Sequence, residues 1–455
     1  MAETIIALAT PTGRSGIGVI RLSGSKSLKI FRMLAQDYGF APDPRVVYLK
    51  QLYSTPVEVI DEALVTYFQA PHSFTGEDVI EISGHGSPVL LRQVIDICLA
   101  SGARMAEAGE FTLRALSNGR MDLAEAEAVR DLIDAQTTGS ARQAVRQLRG
   151  EFSIQLQPLK DDLLNVIVLL ESALEFVEDD LPENQLESVR NRLVAVAETT
   201  ETIASTFKAG RLIREGLKVA LIGRPNVGKS SLFNALLGIE RAIVTEIPGT
   251  TRDQLHERYS LDGIPISLID TAGIRETLDI VESIGVERSR AVMADADVVV
   301  VMVDAAEPLT GEDHEIFESV GGIEHLVVLN KIDKIAEPEV EFIRGTLESD
   351  GRRVIAISAM TGSGLTELQC AIVEPFSTHE TSDSGFLVTD ARHHDLLQRA
   401  ASEIRESLAR SDEKMSEEII LIGLQNALRY LGQITGETTT EDMLSRIFET
   451  FCIGK

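Results

Sequence analysis

The sequence predicts a multidomain fold with an α+β N-terminal domain, a central all-helical domain, and an α/β domain inserted into the helical one. Three observations support this prediction. At 455 residues the chain is too long for one ordinary domain. Residues 1–118 alternate short β-like runs with helical stretches, whereas 122–210 and 390–451 carry apolar side chains at helical spacing. Between the two helical parts, apolar runs of strand length end in glycine-rich or polar loops.

In the N-terminal domain, four short runs rich in apolar residues predict strands, and one longer apolar stretch predicts a helix. The strands are expected at 4–10, 18–22, 63–68 and 79–82, and the helix at 89–100. Gly13, Gly16 and Gly18, together with the sequence Gly84-His85-Gly86, are interpreted as turns.

The helical domain is expected to consist of long packed helices, because apolar residues recur every three or four positions, as at Leu163, Val166, Ile167 and Leu170. The acidic stretch 178–180 is interpreted as a loop between helices and the polar stretch 377–384 as a linker. The predicted limits of the N-terminal domain, the first helical part, the inserted domain and the second helical part are 1–118, 119–215, 216–376 and 377–455. Since both ends of the inserted domain would join one helical body, a change in the inserted domain can pull on the helices.

The chain is acidic, with a formal net charge of −28 from 43 Lys and Arg against 71 Asp and Glu. Because non-specific affinity for nucleic acid depends on basic side chains, we expect weak intrinsic binding to RNA, with local basic surface or a partner supplying the rest. An acidic surface that only aids solubility explains the charge equally well. Three cysteines without metal-like spacing, no apolar stretch of membrane length and no signal peptide predict a cytoplasmic protein without structural disulfides or membrane contact.

The most informative sequence follows the apolar run 217–222 and reads Gly-Arg-Pro-Asn-Val-Gly-Lys-Ser, residues 223–230. Glycine, four residues and Gly-Lys-Ser are typical of a phosphate-binding loop between a strand and a helix. Its backbone N–H groups would surround a polyphosphate, Lys229 would bridge the terminal phosphates, and Ser230 would offer its hydroxyl to Mg²⁺. A nucleoside triphosphate is therefore the expected ligand, with an ordinary glycine-rich turn as the alternative.

Two further loops predict that the base is guanine. Asn330-Lys331-Ile332-Asp333 follows the apolar run 326–329, at the end of an expected parallel strand. The Asp333 carboxylate can accept hydrogen bonds from N1–H and the exocyclic amine of guanine, whereas adenine has neither donor there. Ser358-Ala359 follows the apolar run 354–357 and would offer a backbone N–H to the guanine carbonyl oxygen.

Two polar loops between these motifs are expected to sense the metal and the γ-phosphate. Thr251 would add a second hydroxyl to Mg²⁺, and Asp270, the first residue of Asp270-Thr271-Ala272-Gly273, would hold a metal-bound water. The Gly273 N–H would contact the γ-phosphate, so that both loops become ordered with GTP and loosen after hydrolysis. The order of the five motifs along the chain predicts a Ras-like GTPase domain with a P-loop.

Position 274, which follows this tetrapeptide, is isoleucine. Ras-like GTPases place here a glutamine that orients the attacking water, and isoleucine can neither donate nor accept a hydrogen bond. Another group must therefore position the water, and charge on the leaving oxygens must be neutralised by something other than, or in addition to, an arginine finger. The nearby candidates, each as readily a solvated loop residue, are Glu282, Arg252, Arg275 and the Asn226 side chain.

Blocks of sequence outside this domain are distinctive. They include Ala-Leu-Ala-Thr-Pro at 7–11, Gly-Val-Ile-Arg-Leu-Ser-Gly at 18–24, Ala-Pro-His-Ser-Phe-Thr-Gly-Glu-Asp at 70–78, Gly-Glu-Phe-Thr-Leu-Arg-Ala at 109–115, Asp-Leu-Ala-Glu-Ala-Glu-Ala at 122–128 and Phe-Cys-Ile-Gly-Lys at 451–455. With these flanks the chain closely resembles the MnmE (also called TrmE) family of tRNA-modification GTPases over essentially its whole length.

The resemblance implies a K⁺ ion beside the three phosphates, where an arginine finger would reach, in a site completed when two such domains meet face to face. Asn226, Thr245, the Ile247 carbonyl and Thr250 match the K⁺ ligands. Glu282 matches the acid that orients the attacking water, beside the other implied catalytic residues Lys229, Thr251 and Gly273. The implied nucleotide-binding residues are Asn226, Val227, Gly228, Lys229, Ser230, Ser231, Thr245, Glu246, Ile247, Pro248, Gly249, Thr250, Thr251, Asp270, Thr271, Ala272, Gly273, Asn330, Lys331, Asp333, Ser358 and Ala359.

The resemblance also implies that the N-terminal domain dimerises and binds 5-formyl- or 5,10-methylene-tetrahydrofolate near the C-terminal tail, because these domains are similar to the folate-binding domain of the glycine-cleavage T protein. Arg21, Glu81, Arg120 and Lys455 match the folate contacts. Arg and Lys suit the glutamate carboxylates of the folate, and Glu81 suits the donors of the pterin ring. The family usually has Lys in place of Arg120, which keeps the charge but changes its reach. Cys452 is either a chemical group in tRNA modification or a small apolar residue at a docked C-terminus.

We therefore expect a K⁺-stimulated GTPase that acts as a homodimer with an FAD- and NADH-dependent partner of the MnmG (GidA) type. Together they would attach an aminomethyl or carboxymethylaminomethyl group at C5 of the wobble uridine of certain tRNAs. Two alternatives are a switch in ribosome assembly or signalling and a membrane-remodelling GTPase. The sequence lacks a basic Gly-x-x-Gly RNA-binding loop and a basic amphipathic helix, which disfavours the first and the second respectively.

Overall fold

The computed structural model describes residues 3–175, 183–239, 256–261, 264–270, 296–321, 323, 325–374, 385–413 and 415–454. The expected loop at 178–180, the expected linker at 377–384 and Lys455 lie outside these residues. The chain divides into two compact units. The first comprises Met1–Ile133, Val145–Val196 and Ser402–Lys455, and the second comprises Asp134–Ala144 and Ala197–Ala401.

The first unit begins with a six-stranded sheet. Its strands are β1 Ile5–Leu8, β2 Ile17–Ser23, β3 Val47–Thr55, β4 Glu58–Phe68, β5 Val79–His85 and β6 Arg104–Met105. They lie in the order β3-β4-β5-β2-β1-β6, and the neighbours are antiparallel except for the parallel pair β1 and β6. The four expected strands are confirmed, whereas Gly18, Gly84 and His85, which were interpreted as turn residues, lie in β2 and β5 and pair across them. The sequence did not predict β3, in which apolar residues alternate with Lys50, Gln51 and Ser54.

Two helices, α1 Ser27–Leu34 and α2 Pro88–Ala100, cover one face of this sheet. Side chains of alternate strand residues, such as Ile20, Leu22 and Ile80, point into the core between the sheet and these helices. Cys98 of α2 lies in the same core, and burial raises the pKa of its thiol to about 12. This thiol therefore stays neutral and behaves as an apolar core residue.

A third helix, α3 Glu110–Ser117, begins at the centre of an ion-pair network. Arg104 donates hydrogen bonds to the two carboxylate oxygens of Glu110 at 2.6 and 2.8 Å, and Arg114 donates another at 2.8 Å. Arg114 also donates to Glu77 at 2.9 Å, which joins the helix to the loop before β5. Burial by itself would raise the pKa of Glu110, but hydrogen bonds from both arginines and a backbone N–H outweigh it and lower the pKa to about 2.

Replacing Glu110 with Gln is expected to destabilise the N-terminal domain by about 2 kcal/mol at pH 7, because Arg104 and the buried Arg114 each lose a charged hydrogen-bond partner and retain Glu3 and Glu77 respectively. Since the folded-state pKa of about 2 lies below the ordinary 4.5, the ion pairs stabilise fully above pH 4.5 and are lost as the pH falls toward 2. The difference between variant and wild type should therefore shrink over that range. Calorimetry of the first unfolding transition at pH 7 and pH 3 measures both effects.

Glu3→Gln is the matched control, because Glu3 pairs with the same Arg104 but its side chain is 75 % exposed. Exposed pairs contribute little, so this variant should unfold within about 0.5 kcal/mol of wild type. Equal stability of the Glu110 variant and wild type at pH 7 would contradict the role given to the network.

Five helices follow. They are α4 Leu123–Asp134, α5 Thr138–Leu148, α6 Glu151–Glu175, α7 Glu183–Ser205 and α8 Phe207–Glu215. The expected helical character of 122–210 is thereby confirmed for the described residues. The apolar positions of α6 that carried the periodicity, Leu163, Val166, Ile167 and Leu170, are all buried.

The second unit contains a six-stranded sheet. Its strands are β7 Leu217–Ile222, β8 His256–Leu261, β9 Ile264–Asp270, β10 Val298–Asp304, β11 His325–Asn330 and β12 Arg353–Ala356. They lie in the order β12-β11-β10-β7-β9-β8, all parallel except for the antiparallel pair β8 and β9. The described helices of this domain are α9 Lys229–Ile239, α10 Gly311–Ser319, α11 Glu337–Ser349 and α12 Leu365–Val373, with a 3₁₀ turn at Ile332–Lys334.

Apolar clusters cover both faces of this sheet. The strand β10 is buried along its whole length, which is why it reads as a continuous run of valines rather than an alternating one. Parallel strands bring their carboxyl ends to one edge of the sheet, and in open α/β sheets ligands bind at that edge. The phosphate loop, Asp270 and Asn330 all lie at strand ends on this edge.

The last helices are α13 Ala391–Asp412, α14 Glu417–Thr435 and α15 Glu441–Phe448. In the first unit, α14 packs against α6, and Lys160 donates to Glu437 at 2.5 Å. Beyond α15 the tail returns to the N-terminal domain, where Ile453 forms a β-bridge with Ala108. Within the part of the chain that the structure describes, no helix combines the length and apolar character needed to cross a bilayer.

Candidate guanine nucleotide site

The phosphate loop joins the end of β7 to the start of α9. Asn226 and Gly228 have φ angles of 65° and 105°, so that the chain turns sharply before the helix. A Cβ atom on Gly228 would lie only 2.2 Å from Asn330 Nδ2, which explains why this position requires glycine. Val227 between them is buried and anchors the loop to the core.

Asn330 and Lys331 connect the phosphate loop to the rest of the site. The Asn330 amide donates to the Val227 carbonyl at 2.8 Å and accepts from the Ala359 N–H at 3.1 Å. Lys331 Nζ donates to the Asn226 carbonyl at 2.7 Å and to Asp304 at 2.5 Å. We call these two side chains the Asn330–Lys331 bridge. It fixes the loop expected to bind phosphates relative to the loops expected to bind the base.

The residues expected to recognise guanine lie together as predicted. Ser358 is fully buried, and its hydroxyl donates to the Asp333 carboxylate at 2.6 Å. The same hydroxyl accepts from the Thr361 N–H at 3.1 Å, so Ser358 holds both the acid and its own loop. Asp333 itself is exposed, which leaves its carboxylate accessible to a base. Thus Ser358 orients the acid, and Ala359 belongs to the loop that Asn330 holds.

Lys229 is buried at the first position of α9. Its Nζ donates to the carbonyls of Gly223 and Arg224 at 2.6 and 2.8 Å, so the ammonium lies within the curve of the phosphate loop. Ser230 and Ser231 follow it on the first turn of α9. Helix N-termini favour anions, and a serine hydroxyl is a suitable oxygen ligand for Mg²⁺. The described part of this site therefore fits a Mg²⁺–triphosphate.

Arg224 is one of the four residues between the two glycines of the phosphate-loop pattern, and it ties this loop to the start of α10. It donates to Asp313 at 2.8 Å, and this hydrogen bond is the main reason why the pKa of Arg224 is raised. Asp313 is buried and forms a capping box with Thr310 at the start of α10. In the sequence, the spacing Thr310-x-x-Asp313 is typical of a helix start and could have predicted the capping box that holds Asp313.

Asp270 is the last residue of β9, and its backbone pairs with Leu221 of β7. It therefore lies at the strand end beside the phosphate loop, where a metal-bound water was expected. The other sensor and catalytic positions lie outside the described residues. These are Thr245, Glu246, Ile247, Pro248, Gly249, Thr250, Thr251, Arg252, Thr271, Ala272, Gly273, Ile274, Arg275 and Glu282. Across the described ranges, no three His, Cys, Asp or Glu side chains cluster as a metal site.

Two of the residues expected to bind folate lie together in the N-terminal domain. Arg21 pairs with Glu81 at 2.7 Å across neighbouring strands, and its guanidinium lies 5.6 Å from the centre of the Phe74 ring. Arg21 also donates to the Gly454 carbonyl at 3.4 Å, so the tail reaches this pair. Arg120 is exposed and lies near Gly76, where a Cβ would be 3.3 Å from its Cγ.

Cys452 is exposed, although the tail that carries it is docked. Its carbonyl accepts from the Gly109 N–H at 3.4 Å, and Phe451 packs on Phe448 in an apolar cluster with α4. The expectation of a docked C-terminus is therefore correct, but the alternative of a buried, purely apolar thiol is wrong, because the side chains of Phe448 and Phe451 fill the core at this point. Among the described residues, Cys98, Cys370 and Cys452 are free thiols.

Two family models match the chain. The model described as GTP-binding protein TrmE N-terminus matches residues 4–120, and the model described as MnmE helical domain matches residues 123–452. Solved structures of G domains also resemble it. The G domain of the FeoB iron transporter of T. maritima is 32 % identical, with 35 % of this chain and 97 % of that chain covered and a TM-score of 0.27. Era of Aquifex aeolicus bound to GDP·AlF4⁻ is 29 % identical, with 41 % and 66 % covered and a TM-score of 0.29.

Several full-length relatives carry the same name. The tRNA modification GTPase MnmE of Aquifex aeolicus is 43 % identical over 457 residues, which cover 100 % of both chains. The protein of that name from Koribacter versatilis is 44 % identical over 460 residues, with 100 % of this chain and 99 % of the other covered. Relatives that match from end to end, and a family model that matches most of the chain, show that this protein belongs to the MnmE family of tRNA modification GTPases.

Proposed function

We propose that this GTP hydrolase is K⁺-stimulated and works with an FAD- and NADH-dependent partner of the MnmG type. Together they install an aminomethyl or carboxymethylaminomethyl group at C5 of the tRNA wobble uridine, using a tetrahydrofolate one-carbon unit. The observation that carries the proposal is the guanine nucleotide site, whose loops are held together by the Asn330–Lys331 bridge. Relatives that match this chain from end to end are named tRNA modification GTPases.

Guanine selection and phosphate binding are the steps that the described residues perform. Asp333, oriented by Ser358, accepts the two N–H donors of guanine. Lys229 and the N-terminus of α9 bind the phosphates. The Asn330–Lys331 bridge holds the phosphate-binding loop at a fixed position relative to the base-binding loops. Ser230 and Thr251 would hold Mg²⁺, which neutralises charge on the phosphates when bound. The γ-phosphate would contact Gly273, and Glu282 would position the attacking water.

Support for a K⁺ site comes from Asn226. Its backbone is fixed because Lys331 donates to its carbonyl, while its side chain is exposed beside the phosphate loop. An amide oxygen held there can replace a water of an alkali cation. Thr245, the Ile247 carbonyl and Thr250 would complete the site, and a second G domain facing the first would close it. A cation at that place would neutralise charge on the phosphate oxygens where an arginine finger would otherwise reach, while Glu282 would orient the water in place of the glutamine that Ile274 replaces.

Support for a homodimer comes from the sheet of the N-terminal domain. The face opposite to α1 and α2 presents the apolar side chains of Ile17, Val47, Leu49 and Leu64, which are 63, 58, 61 and 49 % exposed. The strand register places them on one face of β2, β3 and β4. Val47, Leu49 and Leu64 are neighbours on β3 and β4, and exposed apolar side chains grouped in this way mark an interaction site. We propose that a second copy of this chain covers it.

Support for folate binding comes from the pair Arg21 and Glu81 beside the tail. A guanidinium suits a glutamate carboxylate, and a carboxylate suits the donors of a pterin ring. Phe74 beside Arg21 offers an aromatic surface to a flat ring. Arg120 and Lys455 would add charge for the glutamate tail. Cys452, exposed on the tail that reaches this pair, is a candidate group in the transfer to tRNA.

Analysis of bulk tRNA nucleosides in a deletion strain tests the proposal. The C5-modified wobble uridines should be absent from the deletion strain and restored by the wild-type gene. In parallel, purified protein should hydrolyse GTP at least about tenfold faster in KCl than in NaCl, because removing one charge-stabilising group from a hydrolytic site costs at least that factor. Asn226→Ala should abolish the difference between the salts. An unchanged nucleoside profile in the deletion strain would refute the role in tRNA modification, and equal rates in both salts would refute the role of potassium.

A further inference from the structure

The helix α8 immediately precedes the phosphate-binding strand β7 and is buried on two sides. Leu212 belongs to the core of the α/β sheet, together with residues of β7 and β9. Ala209 and Ile213 instead pack on Leu387, which belongs to the extended segment 385–390 that returns from the inserted domain. One short helix therefore contacts both the nucleotide-binding sheet and the chain that leaves it.

Towards the sheet, α8 ends against the first residues of β9. Gly216 has a φ of 79°, and a Cβ there would lie 2.2 Å from the Pro265 carbonyl oxygen. The strand that begins at Ile264 ends at Asp270, beside the phosphate loop. This seven-residue strand therefore extends over about 20 Å from the phosphate loop to the end of α8.

Towards the departing chain, α8 and the residue before it present three positions spaced four apart. The hydroxyl of Thr206 accepts from the Val388 N–H at 3.0 Å. Gly210 has no room for a side chain, because a Cβ would lie 2.1 Å from the Val388 carbonyl oxygen. Arg214 donates to Asp390 at 2.6 Å and to the Thr389 carbonyl at 3.4 Å. We call Thr206, Gly210 and Arg214, with residues 388–390, the root latch.

A second helix holds the same segment. The Gln143 amide of α5 is buried and accepts from the Leu387 N–H at 3.3 Å while donating to the Gly385 carbonyl at 3.4 Å. A neighbouring β-strand would make the same pair of hydrogen bonds with its backbone, but here the Gln143 side chain makes them. Helices α5 and α8, with Thr206 before α8, therefore supply hydrogen-bond partners to the backbone of the extended segment from two sides. The side chains of Phe386, Leu387 and Val388 are buried.

Asp390 connects the latch to the next helix. It accepts from the Arg392 N–H at 2.8 Å and so caps α13, while its other oxygen receives Arg214. Burial would raise the pKa of Asp390, but its electrostatic interactions with His393 and Arg214 and the hydrogen bonds from Arg214 and the Arg392 N–H outweigh it and hold the pKa well below its ordinary value. The carboxylate is thus charged and mostly buried, and it connects α8 to α13 by accepting hydrogen bonds from both helices.

We propose that α8 is the output element of the nucleotide switch and that the root latch transmits the nucleotide state from β9 to the start of α13. Chain connectivity alone does not do this, because a covalent link through an extended segment permits free rotation. The latch makes the segment move with α8. The inference depends on GTP binding and is independent of the folate and tRNA chemistry proposed above.

Hydrogen–deuterium exchange of the full-length protein tests this coupling. Deuterium uptake is compared between GDP and GDP with aluminium fluoride in KCl, in peptides that cover 385–395. In wild type the uptake should differ between the two states, because the Val388 N–H bonded to Thr206 reports the latch. Gly210→Ala and Asp390→Asn should reduce that difference at least threefold. Gly210→Ala acts by steric displacement and Asp390→Asn by loss of charge at nearly constant shape, so the second remains informative if the first unfolds.

Arg211→Gln is the matched control, because Arg211 lies on the same helix but its half-exposed side chain pairs with Glu215 and Asp297 rather than with residues 388–390. It should keep the wild-type difference in uptake. GTP turnover of Asp390→Asn should stay within twofold of wild type, which separates lost coupling from a damaged nucleotide site. The proposal is overturned if both latch variants respond to nucleotide like wild type, or if residues 385–395 of wild type do not respond.

Discussion

Asp333→Asn is expected to lower the affinity for GTP by about 10²- to 10⁴-fold, because one of two hydrogen bonds to a charged acceptor, each worth about 1.5–3 kcal/mol, is replaced by a repulsive contact and the other loses the charge of its acceptor. The oxygen of the new amide still accepts from guanine N1–H, but its NH₂ group then faces the exocyclic amine of the base, donor against donor. The Ser358 hydroxyl that now holds Asp333 at 2.6 Å can hold an amide oxygen equally well. The loop should therefore keep its shape while its specificity changes.

Xanthosine triphosphate tests whether the Asp333→Asn variant has changed its base specificity rather than lost its binding site. Its base carries a carbonyl where guanine has the amine, so the side-chain NH₂ of the Asp333→Asn variant would find an acceptor, and the variant should hydrolyse it faster than GTP. Titration of both nucleotides into wild type, Asp333→Asn and Asp350→Asn measures the effect. Asp350→Asn is the control, because this exposed acid pairs with Arg352 rather than with the site. Unchanged affinity of Asp333→Asn for GTP would show that another group selects the base.

Gly228→Ala is expected to have the second large effect, a loss of nucleotide affinity of about 10²- to 10⁴-fold. The methyl group would meet Asn330 Nδ2 at 2.2 Å, at a backbone φ of 105° that alanine rarely adopts. If Asn330 moves, the Val227 carbonyl and the Ala359 N–H both lose their partner, and each unsatisfied buried group costs about 1–3 kcal/mol. The Asn330–Lys331 bridge would then no longer align the loops.

Gly238→Ala tests whether this loss is specific. Gly238 lies in the same stretch of chain, in α9, and a Cβ there meets nothing within 4 Å. Alanine should stabilise that helix by about 0.5–1 kcal/mol and leave nucleotide binding unchanged. Binding of a fluorescent GDP analogue and thermal unfolding measure the two variants side by side. Equal affinities for Gly228→Ala and Gly238→Ala would contradict the bridge.

Elements with a regular apolar pattern were predictable from sequence. The continuous apolar runs at 217–222 and 326–329 became β7 and β11 of a parallel sheet covered on both faces, and the periodicity of 163–170 became α6. The proximity of the residues expected to recognise the base was predictable for a related reason. Parallel strands end at one edge, so Asp333 and Ser358, which follow two neighbouring strands, had to lie close together.

Contacts between distant residues could not be predicted, because they depend on how side chains meet after the elements pack. Arg224 looked like a spacer until Asp313 was found beside it, and Gly210 gives no signal in a helix until Val388 lies against it. The strand β3 was missed because polar residues interrupt its apolar positions. The switch positions, including Glu282 and Thr251, remain predictions.

The bridge joins residues that are far apart in the chain. Asn330 reaches back 103 residues to Val227, and Lys331 reaches back 105 residues to Asn226. Closing a loop of that length costs about 4 kcal/mol of chain entropy, so contacts of this kind form late in folding. A nucleotide that binds only the finished pocket stabilises it by mass action. The free energy of unfolding of this domain should therefore rise with the concentration of guanine nucleotide.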